Sequence, residues 1–313
     1  MEHSANTGYV HPDYAASLSD YGNPRLLPRS RGWILERNIP GTLYKDAMGC
    51  YPIFSCPRWD YLAYDLDDLR DDVVCISLVA DPFGHSDVSQ LRRMFPDVCF
   101  PFKDHFVVDL SLSRESFVDS RHRRKASRAL ESVSVERCNE PSMLFADWIR
   151  LYANLIRRHA INGIARFSEH AFALQLRIPG VVVFRAVQAG ATVGMNLWYV
   201  QDDRAYYHLG AYAEQGYDLN ASFALFWVAI DYFKTMGLRY LSLGAGAGLT
   251  DGPSSGLNRF KKGWSTGTRS AYFCGRIFDN ERYAEITAAR GTSQTGFFPS
   301  YRATEHRREV RPA

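Results

Sequence analysis

The amino-acid sequence predicts an α/β fold made of two units, with a mixed sheet that includes an antiparallel meander. Three observations lead to this fold class. The chain has 313 residues, a length typical of two domains of ordinary size. Strand-like and helical patterns alternate along its first half, which is the order of an α/β layer arrangement. In the second half, three strand patterns follow one another with short turn-like connections, which favours antiparallel pairing.

The first unit is predicted to cover residues 31–138. Residues 1–30 contain Pro, Ser, Asn and Gly without a sustained hydrophobic period, and we expect them to form a loosely held arm. Strands are predicted at Trp33–Arg37, Tyr51–Cys56, Val73–Ala80 and Val98–Leu110. Helices are predicted between them, near Trp59–Arg70 and Asp87–Phe95.

The second unit is predicted to cover residues 139–290. It begins with a helix at Ser142–His159, for which Pro141 occupies a suitable first-turn position. A shorter helix near Glu169–Leu176 ends before Pro179 and Gly180. The meander strands follow at Val181–Val187, Thr192–Val200 and Arg204–Tyr212.

The longest amphipathic helix of the sequence spans about Asn220–Met236. Its apolar residues recur at helical spacing and are expected to be buried, namely Phe223, Phe226, Trp227, Ile230 and Phe233. A strand at Leu238–Leu243, a short helix near Leu257–Lys262 and a last strand at Thr268–Phe278 complete the unit. We expect little order in the polar and basic tail, residues 291–313.

A glycine-rich segment, Gly244 to Gly248, follows the strand at Leu238–Leu243, so a dinucleotide site has to be considered. The fingerprint of such a site needs G-x-G-x-x-G and a helix that starts at once. Here the third glycine comes one residue early, and Pro253 breaks an immediate helix. The segment instead predicts a tight turn beside a ligand or a flexible loop, and we expect no nicotinamide or flavin cofactor.

Cysteine usage and hydropathy limit the class of protein further. The six cysteines are scattered without a C-x-x-C pair, so we expect buried thiols and no metal site. No apolar run approaches the roughly 20 residues that a membrane span needs. The first residues lack the basic and apolar regions of a secretory signal, so we expect a cytoplasmic protein.

The formal net charge of +3 is too small by itself to indicate a nucleic-acid partner, but the charge is distributed unevenly. A basic run at residues 121–125 lies within a predicted helix, Arg114–Ser132. It is either a solvated helix face or a cradle for the phosphates of a nucleotide-linked ligand or RNA. The phosphate-binding candidates are Arg121, Arg123, Arg124 and Lys125. A second basic run, Arg302 to Arg311, lies in the tail.

The order of meander, long helix, strand, short helix and last strand resembles that of the GNAT acyltransferase fold. Residues 258–264, N-R-F-K-K-G-W, are similar to the R-F-K-x-G-aromatic segment of the Fem-type aminoacyltransferases and their relatives. Residues 109–111, followed by the basic helix at 121–128, are similar to the junction between that family's halves. The resemblance covers about Val98–Phe278 and is weak over Gly32–Asp97.

The resemblance implies two GNAT-like units and a reaction. Fem-type enzymes transfer an aminoacyl group from aminoacyl-tRNA to an amine of a peptide, and relatives modify other amines, including peptide antibiotic precursors. The aromatic residue and the lysine implicated in handling the aminoacyl ester match Phe260 and Lys261. By this resemblance, the Lys261 ammonium stabilises the oxyanion or the leaving ribose oxygen, and Phe260 forms the wall of the channel. Arg259 is placed to bind a phosphate, whereas Lys262 complements the helix dipole.

The meander predicts a further group of candidates. If the faces of its last two strands coincide, period-two alternation places five side chains on the floor of one cleft: Asn196, Trp198, Tyr206, His208 and Tyr212. His208 is then a catalytic candidate, and the other four are candidates for binding substrate. Structural roles for the histidine and the tyrosines remain the alternative.

The donor is inferred from the junction before the long helix. Coenzyme A-dependent GNAT enzymes usually carry a Q/R-x-x-G-x-G/A segment there, whose backbone holds the pyrophosphate. Residues 214–222 read E-Q-G-Y-D-L-N-A-S, with a single glycine and a carboxylate at Asp218 that competes with a phosphate. The sequence therefore favours an aminoacyl-tRNA donor, a small peptide or amine acceptor and no tightly bound cofactor. Two alternatives stay open: an acyl-CoA-dependent N-acyltransferase acting on an amino sugar or small amine, and a non-catalytic RNA-binding or scaffold protein.

Overall fold

The computed structural model describes residues 6–84, 87–246, 256–292 and 295–303. The chain forms two compact units, each assembled from separate stretches of sequence. Unit 1 holds Met1–Gly8, Lys103–Ile161 and Phe172–Arg269, and unit 2 holds Tyr9–Phe102, Asn162–Ala171 and Ser270–Ala313. Cys138, where the sequence predicts the boundary between the halves, lies inside unit 1.

The strands are β1 (Asn23–Leu26), β2 (Trp33–Asn38), β3 (Lys45–Gly49), β4 (Cys75–Val79), β5 (Val98–Asp109), β6 (Ser134–Cys138), β7 (Val181–Gln188), β8 (Ala191–Gln201), β9 (Arg204–Tyr212), β10 (Tyr240–Gly244) and β11 (Gly267–Ile277). The helices are α1 (Pro12–Ala16), α2 (Leu62–Asp68), α3 (Val88–Met94), α4 (Arg114–Phe117), α5 (Ser120–Ser132), α6 (Phe145–His159), α7 (Glu169–Gln175), α8 (Glu214–Asp218), α9 (Ala221–Thr235), α10 (Gly256–Lys262) and α11 (Asn280–Ala289).

The sheet of unit 1 is mixed, as the sequence predicts. Its strand order is β5-β10-β9-β8-β7-β6. β10 is antiparallel to β5 and parallel to β9, and the remaining neighbours are antiparallel. The α/β fold class and the antiparallel meander of β7, β8 and β9 are therefore confirmed.

The core of unit 1 lies between this sheet and helices α5 and α9. The burial predicted for α9 is confirmed for Phe226, Ile230 and Phe233, whereas Phe223 and Trp227 are half-buried at the edge of the same cluster. Leu225 and the alanines at positions 221, 224 and 229 supply the rest of the buried face of α9. Small residues let the helix approach the sheet closely, and burying the four large side chains contributes about 1.5–3 kcal/mol each.

The strands of unit 2 follow the order β1-β2-β3-β4-β11. β3 is parallel to β4, and the other neighbours are antiparallel. Residues 6–30, which we predicted to be a loosely held arm, instead contain α1 and β1. Tyr14 and Leu18 are fully buried, because α1 places its apolar side against the core. Two large side chains without exposed surface hold this stretch in place.

One predicted strand is wrong, and three strands were missed, namely β1, β3 and β6. Residues 51–56 form only a single bridge, between Phe54 and Ala80, because Pro52 lacks the N–H that a sheet ladder requires. β1 and β3 were missed because their sequences, N-P-R-L and K-D-A-M-G, contain few of the β-branched and aromatic residues that mark a strand.

The predicted helix Arg114–Ser132 is two helices, α4 and α5. The helical conformation is interrupted at Val118 and Asp119. The Asp119 carboxylate accepts a hydrogen bond from the backbone N–H of Arg121. Asp119 is therefore the N-cap of the basic helix. In the described parts of the chain, no helix combines the length and apolar character that a membrane crossing requires.

Residues 295–303 depart from the prediction of little order after residue 291. Tyr301 is fully buried, and its hydroxyl donates a hydrogen bond to Asp46 on β3 at 2.9 Å. Arg302 binds both oxygens of the same carboxylate, at 2.5 and 3.0 Å. One member of the basic run Arg302 to Arg311 is thus a buried structural group, and positions 304–311 lie outside the described residues.

Candidate active site

Strands β9 and β10 separate at one end of unit 1. Their parallel pairing runs from Arg204 and Tyr240 to Tyr206 and Ser242 and does not continue within the described residues. Beyond that point β9 stays paired with β8, and β10 stays paired with β5. The two strands therefore diverge. In the opening between them, the backbone groups of β9 and β10 do not form hydrogen bonds with each other.

Lys261, in the last turn of α10, reaches this opening. Its Nζ atom donates a hydrogen bond to the carbonyl oxygen of Ala245 at 2.5 Å and lies 5.9 Å from the ring centre of Tyr207 on β9. Gly244 makes room for the amine, since a Cβ there would lie 3.3 Å from Nζ, and its φ of +71° suits glycine. The side chain of Lys261 is buried, with 6% of its surface exposed.

The electrostatic environment of Lys261 disfavours its charged form. Burial, helped by the nearby Lys103 amine, lowers the pKa of Lys261 to about 7. No carboxylate among the described residues forms an ion pair with it. Lys103 extends from β5 and donates to the carbonyl oxygen of Gly246 at 3.0 Å, so two amines are held on adjacent carbonyls.

His105 lies close to the amines of Lys261 and Lys103. Its Nδ1 atom lies 3.5 Å from the Ser242 hydroxyl, and its ring is buried. Burial, together with the charges of Lys261 and Lys103, lowers the pKa of His105 to about 3, so its imidazole is neutral at ordinary pH. Such a site attracts a ligand that brings negative charge, because two amines are gathered beside one opening.

An amine with a pKa near 7 has two chemical uses at neutral pH. As an ammonium it stabilises an oxyanion and can give a proton to a leaving oxygen. As a neutral amine it can accept a proton. Lys261 is therefore equipped both to stabilise charge and to move a proton, which an ordinary surface lysine is not.

The other residues of the motif have different surroundings. Phe260 packs in an aromatic cluster, with ring centres 5.1 Å from Phe223, 5.0 Å from Phe226 and 6.2 Å from Trp264. His122 of the basic run joins this cluster, and its Nε2 atom lies 3.0 Å from the Phe260 carbonyl oxygen. Arg259 and Lys262 are exposed. The motif helix is thus anchored by Phe260, and this anchor places Lys261.

The four phosphate-binding candidates lie on α5, and all of them are exposed: Arg121, Arg123, Arg124 and Lys125. No ion pair joins any of them to a carboxylate of the described chain. Lys125 also lies 4.8 Å from the ring centre of Phe223. The face remains available for anions, and Phe223 connects it to the aromatic cluster beneath the motif helix.

The single face predicted for five meander residues is divided by a bulge. The register between β8 and β9 shifts after Leu197, so Trp198 lies opposite Tyr207 and His208 is the extra residue. Trp198 and Tyr212 belong to the core beneath α9. Tyr206 lies opposite Tyr199, whose ring centre is 5.0 Å from that of His208. Period-two alternation fails here because an inserted residue reverses the faces of everything that follows.

His208, a catalytic candidate, is buried on the second of these faces. Its Nε2 atom lies 3.2 Å from Oε1 of Gln175 on α7, and only 8% of its surface is exposed. Burial lowers the pKa of His208 to about 3, so the ring is neutral and takes the tautomer that donates to Gln175. This geometry suits a positioning role better than proton transfer.

The junction before α9 is a packed helical turn. Its single glycine, Gly216, packs against β8, where a Cβ would lie 2.1 Å from the carbonyl oxygen of Val193. This glycine therefore serves close packing. The junction folds as a separate short helix, α8, and Asp218 at the end of α8 is exposed.

Sequence reasoning missed Lys103, His105, Ser242 and Tyr207. Lys103 and His105 are two positions apart on β5, within the strand predicted at Val98–Leu110, so they lie on the same face. Two basic residues on one strand face are a signal that could have been noticed. Ser242 and Tyr207 carry no such signal, because only the folded sheet brings Ser242 beside His105 and Tyr207 beside Lys261.

Comparison with known proteins agrees with this geometry. Residues 118–262 match the family described as acetyltransferase (GNAT) domain. No curated protein matches the sequence. These residues include the meander, α9, β10 and the motif helix, so this part of the chain matches a GNAT domain.

Solved structures share the fold over nearly the whole chain. FemX is 14% identical, with a TM-score of 0.64 over 88% of this chain and 93% of that one. The C-terminal domain of a putative lysylphosphatidylglycerol synthetase from Agrobacterium fabrum is also 14% identical, with a TM-score of 0.61 over 89% and 90%. L-PGS from Bacillus licheniformis is 12% identical, with a TM-score of 0.58 over 90% and 96%. The resemblance to a Fem-type GNAT fold is therefore confirmed.

Proposed function

We propose that this GNAT-fold acyltransferase is an aminoacyltransferase that moves an aminoacyl group from aminoacyl-tRNA to an amine of a peptide or peptide-like acceptor. The observation that supports the proposal most strongly is the buried Lys261 amine, with a pKa of about 7, at the opening between β9 and β10. An ester carbonyl placed beside this amine develops its negative charge next to an ammonium in a site of low polarity, where the interaction is strong.

In the proposed reaction, Lys261 stabilises the negative charge on the carbonyl oxygen and donates the proton to the leaving oxygen. The neutral acceptor amine attacks the ester carbon, a C–N bond forms, and the carbonyl oxygen becomes negative beside Nζ. When the C–O ester bond breaks, Lys261 gives a proton to the departing ribose oxygen. The nitrogen of the new amide loses a proton, which restores the Lys261 ammonium. One C–O bond is exchanged for one C–N bond, and no net proton is consumed.

The choice of donor is supported by two features of unit 1. The exposed arginines and lysine of α5 form a basic face suited to a polyanionic ligand such as tRNA. The junction before α9 lacks the open glycine backbone that holds a pyrophosphate, since Gly216 is committed to packing on β8. An acyl-CoA donor is the alternative that the experiment tests.

The acceptor has a second candidate. Two of the structural relatives are named as lysylphosphatidylglycerol synthetases or L-PGS. A phosphatidylglycerol headgroup offers a hydroxyl in place of an amine, and the same lysine chemistry would give an ester. The fold is compatible with both acceptors, so the experiment includes both.

The test is a transfer assay with four arms. Purified protein is mixed with a radiolabelled aminoacyl-tRNA pool or with labelled acetyl-CoA, and each donor is offered either a lysine-containing peptide or phosphatidylglycerol vesicles. We expect label to move from tRNA to the peptide in a form that resists mild base, as an amide does. Label that moves only from acetyl-CoA would overturn the proposed donor, and label found only in lipid would overturn the proposed acceptor.

A further inference from the structure

A buried asparagine beside the candidate active site lacks hydrogen-bond partners. Asn196 on β8 has 0% of its surface exposed. Neither its Nδ2 nor its Oδ1 atom has a partner in the described part of the protein. Native structures rarely leave such groups unsatisfied, because a buried amide without hydrogen bonds is strongly unfavourable. An unpaired donor and an unpaired acceptor on one side chain indicate that something else binds there.

The surroundings of Asn196 form a small polar pocket. Asn196 lies opposite Gly210 on β9, and a Cβ at Gly210 would be 2.0 Å from the Tyr207 hydroxyl and 3.0 Å from the Tyr212 hydroxyl. The glycine therefore lets two hydroxyls lie over the backbone next to the amide. The Tyr212 hydroxyl lies beside the Tyr207 hydroxyl, and the two interact. Three polar groups therefore converge on one point, and among the described residues the Asn196 amide lacks a protein partner.

The first turn of α9 covers this pocket. A Cβ on Gly194, the neighbour of Asn196 on the same face of β8, would lie 3.5 Å from Cβ of Ala221. Ala221 and Ala224 are both buried in this turn, and a Cβ on Gly194 would also lie 2.6 Å from Cδ1 of Tyr212, so the pocket is closely lined. The pocket is thus closed on the helix side by alanines.

Tyr207 connects the pocket to Lys261. Its hydroxyl lies over Gly210, and its ring centre is 5.9 Å from the Lys261 amine. One tyrosine side chain therefore reaches from the reacting centre to the point where Asn196 lies. A group attached to a carbonyl beside Lys261 would extend along Tyr207 toward Asn196.

The pocket is uncharged. Burial raises the pKa of Tyr207 and of Tyr212, so both hydroxyls stay protonated at neutral pH. The remaining neighbours of Asn196 across the sheet are Phe184 and Gly210. A charged ligand group would find no counter-ion there, whereas a group with both a donor and an acceptor would satisfy the amide.

We propose that Asn196, with the hydroxyls of Tyr207 and Tyr212, binds the side chain of the transferred aminoacyl group, and that this side chain carries a neutral hydroxyl or carboxamide. The inference depends on the proposed function, because it names the donor that the active site prefers. A site built to hydrogen-bond such a group rejects an apolar analogue strongly, since the analogue leaves the protein groups unpaired.

The test compares donors of equal shape. The protein is assayed with tRNAs charged with threonine, valine, asparagine, leucine and lysine. We expect transfer of threonine over valine, or of asparagine over leucine, by about a hundredfold or more in kcat/KM. Asn196→Leu should reduce the preferred ratio at least tenfold, and Tyr212→Phe, which removes only a hydroxyl, should reduce it in the same direction.

Thermal unfolding shows whether the variants are folded. Asn196→Leu should raise the unfolding midpoint, because it removes two unpaired polar atoms from the core. The matched control is Asn154→Leu on α6, where the side chain donates to the Tyr212 carbonyl oxygen at 2.7 Å, and it should lower the midpoint.

The outcomes separate the two proposals. Transfer from several aminoacyl-tRNAs without a preference for the polar member of a pair, or an unchanged ratio in both variants, overturns the pocket assignment and leaves the aminoacyltransferase standing. A preference for lysyl-tRNA overturns the inference that the side chain is neutral. Failure of every aminoacyl-tRNA to give product overturns both proposals.

Discussion

At the scale of single residues, Lys261 combines burial with a function. A lysine amine is normally well hydrated, and here the chain gives it one carbonyl partner, an aromatic ring and a second amine nearby. Such an arrangement destabilises the folded protein, so its presence in an otherwise ordinary core needs a reason. Perturbed groups of this kind are concentrated at functional sites.

We expect Lys261→Ala to lower turnover by roughly a hundredfold or more, the range seen when one oxyanion donor is removed. Substrate binding should change little, because the charge exists mainly in the transition state. Lys261→Arg should restore little activity, since a planar guanidinium cannot place a point charge where an ammonium was. The measurement is single-turnover transfer at saturating enzyme.

The control is the neighbouring Lys262→Ala, which removes the same charge from an exposed position. It should be nearly silent, because a lysine at a helix end contributes only about 0.3–1 kcal/mol through the dipole. An equal loss in both variants would mean that the two lysines act only as a basic patch.

The lowered pKa of Lys261 also affects stability. Its value of about 7 lies below the roughly 10.4 of an unfolded lysine, so the unfolded state binds more protons between these values. The free energy of unfolding should therefore rise with pH from about 7 to about 10. Lys261→Met should lack this increase and should be the more stable protein at pH 6, by a few kcal/mol.

Urea unfolding of wild type, Lys261→Met and Lys262→Met at pH 6 and pH 9 measures this dependence. Lys262→Met should follow wild type, because its side chain is exposed. If all three proteins gain the same stability between the two pH values, the Lys261 amine is not buried as described.

At the scale of secondary-structure elements, α5 has two different faces. His122 and the alanines at 126 and 129 face the core, while the arginines and Lys125 remain in solvent. Asp119 caps the N-terminus of α5, and α5 begins after the interruption that follows α4. This starting point places the apolar residues of α5 toward the core and its basic residues toward solvent. The basic face is held on a well-packed helix, so its charges have a fixed arrangement.

We expect Arg121→Ala combined with Arg124→Ala to weaken tRNA binding without unfolding the protein. Each phosphate-binding side chain that is removed should reduce the slope of log affinity against log salt by about 0.7–0.9, because fewer counterions are released. Filter binding of unacylated tRNA over a range of salt concentrations gives this slope. The matched control is Arg92→Ala with Arg93→Ala on α3, an equal change of charge at exposed positions of unit 2. A basic face that is merely solvated would leave both double variants with the wild-type slope.

At the scale of the whole molecule, each unit is assembled from stretches that are distant in sequence. In unit 2, the last described residues return to β3, where Asp46 binds Tyr301, Arg302 and Arg37. The Asp46 carboxylate is fully buried and is matched by two guanidinium groups and a hydroxyl. This cluster joins the last described residues to a strand more than 250 residues earlier.

We expect Asp46→Ala to destabilise unit 2 by about 3–5 kcal/mol, because it leaves buried positive charge without a partner. Asp72→Ala is the control, since Asp72 forms an exposed pair with Arg25 that should be worth at most about 1 kcal/mol. Chemical denaturation followed by tryptophan fluorescence compares the two variants. Equal stability of both variants would show that the Asp46 cluster does not hold the chain end.

The sequence by itself determined the elements whose signals are local. The meander, α9, the motif helix and the last strand were all predicted near their observed positions, because apolar periodicity and turn residues act over a few neighbours. The motif N-R-F-K-K-G-W indicated the fold and drew attention to Lys261. The mixed sheet also followed from the order of elements along the chain.

Only the tertiary structure decided the environment of each site residue. The bulge in β9 moved Tyr206 and His208 to the face away from Trp198, and nothing in the local pattern marks the inserted residue. Lys103 and His105 lie on β5 and Lys261 lies on α10, and their proximity and the lowered pKa values of His105 and Lys261 exist only after β5 pairs with β10. The same holds for the unpaired Asn196 and for the burial of Arg302 in a tail predicted to have little order. Periodicity records which side of an element is apolar, whereas desolvation and hydrogen-bond satisfaction depend on which elements meet.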